Sequence, residues 1–324
     1  MPQVPQSPPY PGHRPYCPQP SAPLQTMHIT LLGTGHMGLP MARRLCEAAP
    51  VHGWTVHVWN RTRAKAEPLA ACGAQVHTHA ADALAAADIA LSLLESGPVV
   101  HQVLFGSTDG QPPAAHALRP GALVVDMASI QPEEARHHAA LLAERGVAHV
   151  DAPVSGGTVG AEAGALAIMA GGHAADVDRA RPVLGVLGRT THVGPHGAGQ
   201  LAKLANQMIV GITIGAVAEA LLLCEKGGAD PARVREAIGG GFAESRILQL
   251  HGERMVTRDF SPRARMTVQL KDMRNALATA ARMGFDAPVT AALETLYAQG
   301  VAHGDGDLDH SGLFVELARR NGMG

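Results

Sequence analysis

From Met27 onward, apolar residues fall into short runs separated by stretches with helical spacing. "HITLLG" is a compact apolar run ending in glycine, and "LPMARRLCEAA" follows it with helical periodicity. "TVHVWN" reads as a second strand and "RAKAEPLAACG" as a helix closed by Gly73. "DIALSLL", "ALVVDMA" and "AHVDAPV" are further strands, and "PEEARHHAALLAERG" is a helix with acids in its first turn and Gly146 past its last. Such alternation predicts an α/β fold with a mostly parallel, doubly wound sheet. After about Gly197 the strands stop. "GQLAKLANQMIVGITIGAVAEALLLCEKGG" reads as one helix of roughly 40 Å at ~1.5 Å per residue. "DPARVREAIGGG" opens on an Asp N-cap with proline next, and three more helical segments are expected after it. The pattern therefore predicts an all-helical C-terminal domain over 195–324, joined to a sheet domain over 27–194 by the long inter-domain helix. That helix is apolar all round, which predicts a face completed by a second subunit, in a homodimer or homotetramer.

Composition narrows the class. The 324 residues suffice for two domains, and 46% apolar with 17% charged residues is a globular balance. A net charge of -2 offers nothing to recruit nucleic acid or an anionic membrane. The four cysteines, Cys17, Cys46, Cys72 and Cys224, are scattered without a CxxC pair, against a disulfide framework or zinc site and in keeping with a reducing, cytoplasmic setting. Residues 1–26 are proline-rich, with no apolar core of a signal peptide, and read as a disordered extension or a misassigned start, since Met27 immediately precedes the first strand. The uncharged run between Lys203 and Glu219 is shorter than the ~20 residues of a bilayer span, so a soluble protein is expected.

"LLGTGHMG" holds G-x-G-x-x-G as Gly33, Gly35 and Gly38, after a strand and opening a helix. In that context the motif predicts a Rossmann-type dinucleotide site: Gly33 for the turn, Gly35 for close approach of a pyrophosphate, Gly38 for helix–strand contact. His36 and Met37, between the glycines, and Leu93, after the "DIALS" strand, are candidate cofactor contacts. The end of the second strand reads "WNRTRAK", where NAD sites place a carboxylate. Here Asn60, Arg61 and Thr62 offer an amide, a guanidinium and a hydroxyl to a 2′-phosphate, which predicts NADP(H) in preference to NAD(H). The alternative is a solvated basic loop.

"DAPVSGGTVG" begins at a strand end, where open α/β sheets place ligands. Ser155, Gly156 and Gly157 can offer a hydroxyl and bare N–H groups to a small carboxylate; the alternative is a glycine-rich turn. Lys203 begins the long apolar helix with Asn206 and Gln207 on the same face. A buried ammonium needs a partner or a cleft, and a cleft lined by Lys, Asn and Gln suits carbonyl reduction, with Lys203 delivering the proton. The alternative is a snorkelling surface lysine. Lys271 and Asp272 of "TVQLKDMRNAL" either reach the same cleft, with Lys271 near the cofactor, or are surface charges.

Taken together, "GTGHMGLPMARRL", "DMASI", "DAPVSGG", "GAGQLAKLANQ", "LKDMRNAL" and "DHSGLF" resemble, in order, the motifs of the β-hydroxyacid dehydrogenases, which include 3-hydroxyisobutyrate dehydrogenase and 2-hydroxy-3-oxopropionate reductase. The resemblance spans Met27 to about Arg320. It implies that Lys203 is the essential proton donor and acceptor, and that Ser155, Gly156 and Gly157 bind the substrate carboxylate. Ser129 of "DMASI" and Lys271 would contact the cofactor, with Asp272 supporting the site. "KLANQ" and "DHS" look most like the 2-hydroxy-3-oxopropionate reductase branch; many 3-hydroxyisobutyrate enzymes have a second Asn where this chain has Gln207. The family's "LPxS" turn is here "LLES", with Leu94 in the proline position. "NRT" resembles NADP-using relatives, including imine reductases; these generally lack the lysine, so Lys203 argues against imine reduction. The expected activity is NADPH-dependent reduction of a small aldehyde acid. The rivals are 3-hydroxyisobutyrate, glyoxylate or succinic semialdehyde as substrate and, in another class, a non-catalytic NADP-binding sensor.

Two apparent metal signals fail on pattern. "DGDLDHSGLFVE" places Asp305, Asp307, Asp309 and Glu316 like a calcium loop, but His310 stands at the glycine position and Leu313 at a ligand position. The histidines of "HTH" (His77, His79) and the His137-His138 pair lack metal-site spacing and read as solvated.

Overall fold

The computed structural model of the chain describes residues 26–107 and 112–323. Most of the proline-rich segment, with Cys17, lies outside them. The order is β1 (Met27–Leu32), α1 (Gly38–His52), β2 (Trp54–Trp59), β3 (Gln75–His77), α2 (Ala80–Leu84), β4 (Ile89–Ser92), α3 (Gly97–Phe105), β5 (Leu123–Asp126), α4 (Pro132–Ala143) and β6 (Ala148–Asp151). Then come β7 (Val154–Ser155), α5 (Gly157–Ala163), β8 (Leu166–Gly172), α6 (Ala174–Leu187) and β9 (Gly188–Gly194). The helical part is α7 (Ala198–Lys226), α8 (Pro231–Ile238), α9 (Arg246–Thr257), α10 (Met266–Arg282), α11 (Pro288–Ala302) and α12 (Leu313–Arg320), so four α-helices rather than three follow α8.

The sheet runs β3-β2-β1-β4-β5-β6-β8-β7, with β9 beside β8. β1 to β6 pair in parallel, whereas β8 is antiparallel to β6 and β7. Chain order reverses between β1 and β4, so the ligand crevice of an open α/β sheet falls at their carboxyl ends. Side-chain alternation sends Ile29, Leu31, Val56, Val58, Leu123 and Val125 into one core layer with α1 and α6. Leu32, Ala90 and Val124 enter the opposite layer with α2, α3 and α4. Thr30 faces that second layer, its hydroxyl donating to the Ala83 carbonyl at 2.6 Å, so a polar side chain is satisfied inside the core.

The segment expected to be a helix after β2 forms two 3₁₀ turns, Arg63–Lys65 and Glu67–Cys72. Pro68 has no N–H to give to a carbonyl four residues back, and the turns close instead through three-residue bonds such as Ala66 N–H to Arg63. Gly73 ends the segment in the left-handed region, as the pattern required.

α7 is 29 residues long. By length and apolar content it is able to cross a membrane, contrary to the reading of its uncharged run. Its apolar surface has another use: Ile214, Val217, Ala218, Leu221 and Leu222 form the helical domain's core with Leu248, Met255, Leu270, Tyr297 and Phe314. Asp230 caps α8 by accepting from Ala232 N–H at 2.8 Å, with Pro231 first in the helix.

His138 is buried, not solvated: α4 turns it inward beside His101 and Phe105, while His137 one residue earlier is exposed. Burial pushes its imidazole down to about 4. His77 bonds His57 at 3.0 Å across β2 and β3, leaving His79 as the exposed member of that pair. In the calcium-like stretch, Asp305, Asp309 and Glu316 are each held in ion pairs with Arg319 or Arg254.

Candidate functional site

The glycine loop sits at the β1/β4 crevice. Gly33 N–H donates to the Trp59 carbonyl at 2.8 Å and Leu93 N–H to the Leu32 carbonyl at 2.9 Å, pinning the loop to the strand ends. Gly33 has φ of 101°, and a β-carbon there would overlap the Leu93 carbonyl; one on Gly38 would overlap the Gly33 carbonyl. Gly35 differs: no described protein atom lies within 4 Å of a β-carbon placed on it. The described residues therefore do not require glycine at 35, whereas a closely approaching ligand would. α1 begins with neither a side-chain cap nor an acid in its first turn, leaving its N–H groups and positive dipole end for an anion. The buried hydroxyl of Thr34 at this edge has no hydrogen-bond partner among the described residues. These features fit a dinucleotide pyrophosphate. His36 is exposed on the loop and Met37 half-buried at the helix start.

At the end of β2, Asn60 bonds the loop on both sides. Its carbonyl oxygen accepts from Thr34 N–H at 3.0 Å and its amide donates to the Thr62 carbonyl at 2.9 Å, so it shapes the loop. Arg61 and Thr62 are exposed, and Arg61 makes no ion pair among the described residues. Arg63 is engaged by Glu67 and Thr78.

The start of α7 is fixed by residues that the sequence did not single out. Asp151, ending β6, accepts from Gly197 N–H at 2.8 Å and from Gln200 N–H at 3.0 Å. Gln200, wholly buried, accepts from Ile130 N–H at 3.0 Å and donates to the Ala128 carbonyl at 2.8 Å. These bonds bracket half-buried Ser129 and lock α7 to the β5–α4 connection one helical turn before Lys203. Across the same edge Asp126 is paired with Asp151 in register. Burial, opposed by the Ala128 N–H bond and aided by the Asp151 charge, pushes Asp126 up to about 7. Arg282 of α10 reaches α4, bonding Gln131 at 2.8 Å and Glu133 at 2.9 Å, a second tie between the domains.

Lys203 is half-buried, and its Nζ donates to Gln207 Oε1 at 2.9 Å. Asn206 donates to the same oxygen at 2.9 Å, and Gln207 in turn donates to Asp272 Oδ2 at 2.6 Å. Lys271 Nζ lies 3.5 Å from Asp272 Oδ1. The structure thus joins Lys203, Asn206, Gln207, Asp272 and Lys271 in one network between α7 and α10. Gln269 Nε2 donates to the Gln207 carbonyl at 3.0 Å, bracing that junction. Burial lowers the Lys203 pKa, with Lys271 adding to the shift and Asp272 opposing it. An amine so placed releases its proton more readily than a free lysine.

Ser155 is half-buried at the end of β7; Gly156 and Gly157 follow with φ of 139° and 63°, exposed at the sheet edge. A β-carbon on Gly157 would meet open space. No hydrogen bond joins Ser155–Gly157 to the Lys203 network among the described residues. Asp151 and Gln200 had one usable signal, a polar residue closing an apolar strand and one opening an apolar helix, but their pairing spans 49 positions.

A dinucleotide loop on a doubly wound sheet, with a lysine–amide–carboxylate network on the helical domain, defines an NAD(P)-dependent oxidoreductase. The match to known proteins narrows the class. Residues 28–194 match the NAD-binding domain of 6-phosphogluconate dehydrogenase, and 197–317 match the NAD-binding domain of NADP-dependent 3-hydroxyisobutyrate dehydrogenase. The chain is 41% identical over 292 residues to 2-hydroxy-3-oxopropionate reductase of Escherichia coli, covering 90% of this chain and 97% of the relative. It is 36% identical to 3-hydroxyisobutyrate dehydrogenase of Pseudomonas aeruginosa, covering 88% and 95%. The structure of Mycobacterium tuberculosis 3-hydroxyisobutyrate dehydrogenase with L-serine superposes with a TM-score of 0.81 at 32% identity, covering 90% and 99%. The chain belongs to the 3-hydroxyisobutyrate dehydrogenase family of β-hydroxyacid dehydrogenases and is an enzyme of that family.

Proposed function

We propose that this enzyme reduces a short aldehyde acid of the 2-hydroxy-3-oxopropionate type with NADPH, using Lys203 as proton donor. The observation that carries the reading is the Lys203–Gln207–Asp272 chain, which holds a half-buried amine of lowered pKa in a fixed direction. The 41% identical reductase supports the substrate class. Exposed Arg61 and Thr62, with no carboxylate at that turn, support NADPH over NADH.

NADPH, when bound, supplies the hydride to the carbonyl carbon. The glycine loop and the open end of α1 would hold its pyrophosphate, with Ser129 and Lys271 flanking the other half. The Ser155 hydroxyl and the Gly156 and Gly157 N–H groups take the substrate carboxylate. Lys203 donates its proton to the carbonyl oxygen as negative charge develops there, and solvent returns one to the amine. Asn206 and Gln207 orient substrate oxygens, and Asp272 keeps Gln207 turned toward Lys203. Oxidation of the alcohol needs the neutral amine. The rate of oxidation should therefore rise toward alkaline pH, with its inflection below that of a free lysine, and a flat profile would remove Lys203 from the role. A homo-oligomer in the cytoplasm completes the proposal: α7 leaves Ile209 66% and Leu223 73% exposed, as a helix awaiting a second subunit would.

The test is NADPH oxidation against a panel of two- to four-carbon aldehyde acids, repeated with NADH. The highest kcat/KM is expected for 2-hydroxy-3-oxopropionate with NADPH. Preference for 2-methyl-3-oxopropionate, glyoxylate or succinic semialdehyde would reassign the substrate, and absence of turnover on all of them would leave a binding protein.

A further inference from the structure

We propose that His310 is a specificity-determining residue whose Nε2 hydrogen-bonds the 2-hydroxyl of the bound acid, selecting hydroxylated acids over unsubstituted ones. The inference rests on the substrate class proposed above.

His310 opens the 3₁₀ turn His310–Gly312, which packs against α7 and α10, the helices that carry Lys203 and Asp272. Its backbone is held on both sides: the N–H donates to the Ala264 carbonyl at 2.8 Å, and the carbonyl accepts from the Tyr297 hydroxyl at 3.4 Å. The turn is fixed by Asp309, which accepts from the Ser311 hydroxyl at 2.7 Å and from Arg254 at 2.7 Å. The ring stacks on His251 with centroids 6.4 Å apart. The residue is only 7% exposed, yet Nε2 is buried with no hydrogen-bond partner among the described residues. A polar atom so placed calls for a partner that the described residues do not supply.

The turn's packing on α7 and α10 places the ring on the side of Lys203 and Asp272, and their charges act on it. Burial pushes the imidazole down to about 4; the Asp309 and Asp272 carboxylates pull it up, and His251 and Lys203 push it down further. His310 therefore lies within electrostatic reach of Lys203 and Asp272 and is neutral at physiological pH. A neutral imidazole nitrogen donates in one tautomer and accepts in the other, and a hydroxyl can answer either. In the proposed substrate the carboxylate falls to Ser155–Gly157 and the carbonyl oxygen to Lys203. The remaining polar group is the uncharged 2-hydroxyl, and Nε2 is an uncharged polar atom without a partner among the described residues, on the turn packed against α7 and α10.

Tartronate and malonate, two unreactive diacids that differ only in that hydroxyl, separate the contact from general binding. Both would be titrated calorimetrically into the NADP+-loaded enzyme and its His310→Phe and His310→Gln variants. Phe should weaken tartronate by about tenfold or more while leaving malonate within about twofold, and Gln should recover part of the loss. The KM for 2-hydroxy-3-oxopropionate should rise in parallel, with that for 3-oxopropionate unchanged. Equal weakening of both diacids would make His310 structural, and no change in either would remove it from the site; both outcomes overturn the inference. If His310→Phe does not fold, His310→Met is read by the same criterion. Failure of the wild type to reduce any aldehyde acid would instead overturn the proposed function, and is read separately because the diacid titrations involve no turnover.

Discussion

Two helices begin at the carboxyl edge of the same sheet, and they begin differently. α1 follows the glycine loop with no side-chain cap, no acid in its first turn and open space beside Gly35. α7 begins at Gly197 with two N–H groups, those of Gly197 and Gln200, already taken by the chain's own carboxylate, Asp151. One positive helix end is left for an anion that arrives, and the other is closed by an anion built in. The difference separates two tasks: the open end binds, while the closed end fixes α7 so that Lys203, a turn further on, has a defined position before any ligand enters.

Lys203→Met gives the largest separation of these tasks. Loss of a positioned proton donor should lower kcat by about 10² to 10⁴-fold. NADPH affinity, measured by fluorescence titration, should stay within about twofold. A large fall in affinity would show that the two helix ends are not independent.

Gly35→Ala and Asp151→Asn break one end each. With no described protein atom near the added methyl, Gly35→Ala should fold with an unchanged Tm but bind NADPH about tenfold or more weakly. Asp151→Asn leaves one of two buried N–H groups without an acceptor, a cost of about 1–3 kcal/mol, so Tm should drop on the order of 5 °C. Its kcat should fall with KM for NADPH unchanged. Interchange of these phenotypes would refute the division.

The open end was legible in the sequence because its signals are local. Gly33, Gly35 and Gly38 lie within six residues, and the strand before and helix after follow from periodicity. The N-cap at Asp230 was legible for the same reason. The closed end was not: Asp151 and Gln200 meet across a fold that brings β6 to α7, and neither residue type is unusual where it stands. Strand β8, "LAIMAGG", was hidden by alanine and glycine, which suit strand and helix alike. Pro68 was visible, but its effect, 3₁₀ turns in place of an α-helix, depends on where the carbonyls lie. For His138, missing metal-site spacing suggested a solvated ring, but spacing says nothing of burial, and neighbours on a helix point in different directions.

Asp126 sharpens the account of the closed edge through pH. Its folded pKa, pushed up to about 7 chiefly by burial, lies above the unfolded value of 3.8. A raised pKa contributes stability that is complete below about pH 4 and is lost as pH rises through about 7. Wild-type stability should therefore carry a larger penalty at pH 8 than at pH 5. Asp126→Asn cannot ionise, so its Tm relative to wild type should rise between pH 5 and pH 8 by several degrees. An equal offset at both pH values would mean that Asp126 titrates normally despite its burial beside Asp151.

Arg61 gives the smallest effect, at the rim of the open end. The pyrophosphate is common to NADH and NADPH, so the glycine loop cannot tell them apart, and discrimination falls to the turn after β2. Asn60 bonds Thr34 and Thr62, and Arg63 pairs with Glu67, which leaves Arg61 as the guanidinium available to a 2′-phosphate. Because Arg61 is exposed, solvent screens the contact, and Arg61→Ala should raise the KM for NADPH by only about tenfold while leaving that for NADH within about twofold. Added salt should narrow the wild-type preference in the same direction, since it screens the 2′-phosphate contact more than the buried loop. If both KM values move together, Arg61 holds the turn rather than the phosphate. If the wild type prefers NADH from the outset, the basic turn is solvated and selects nothing.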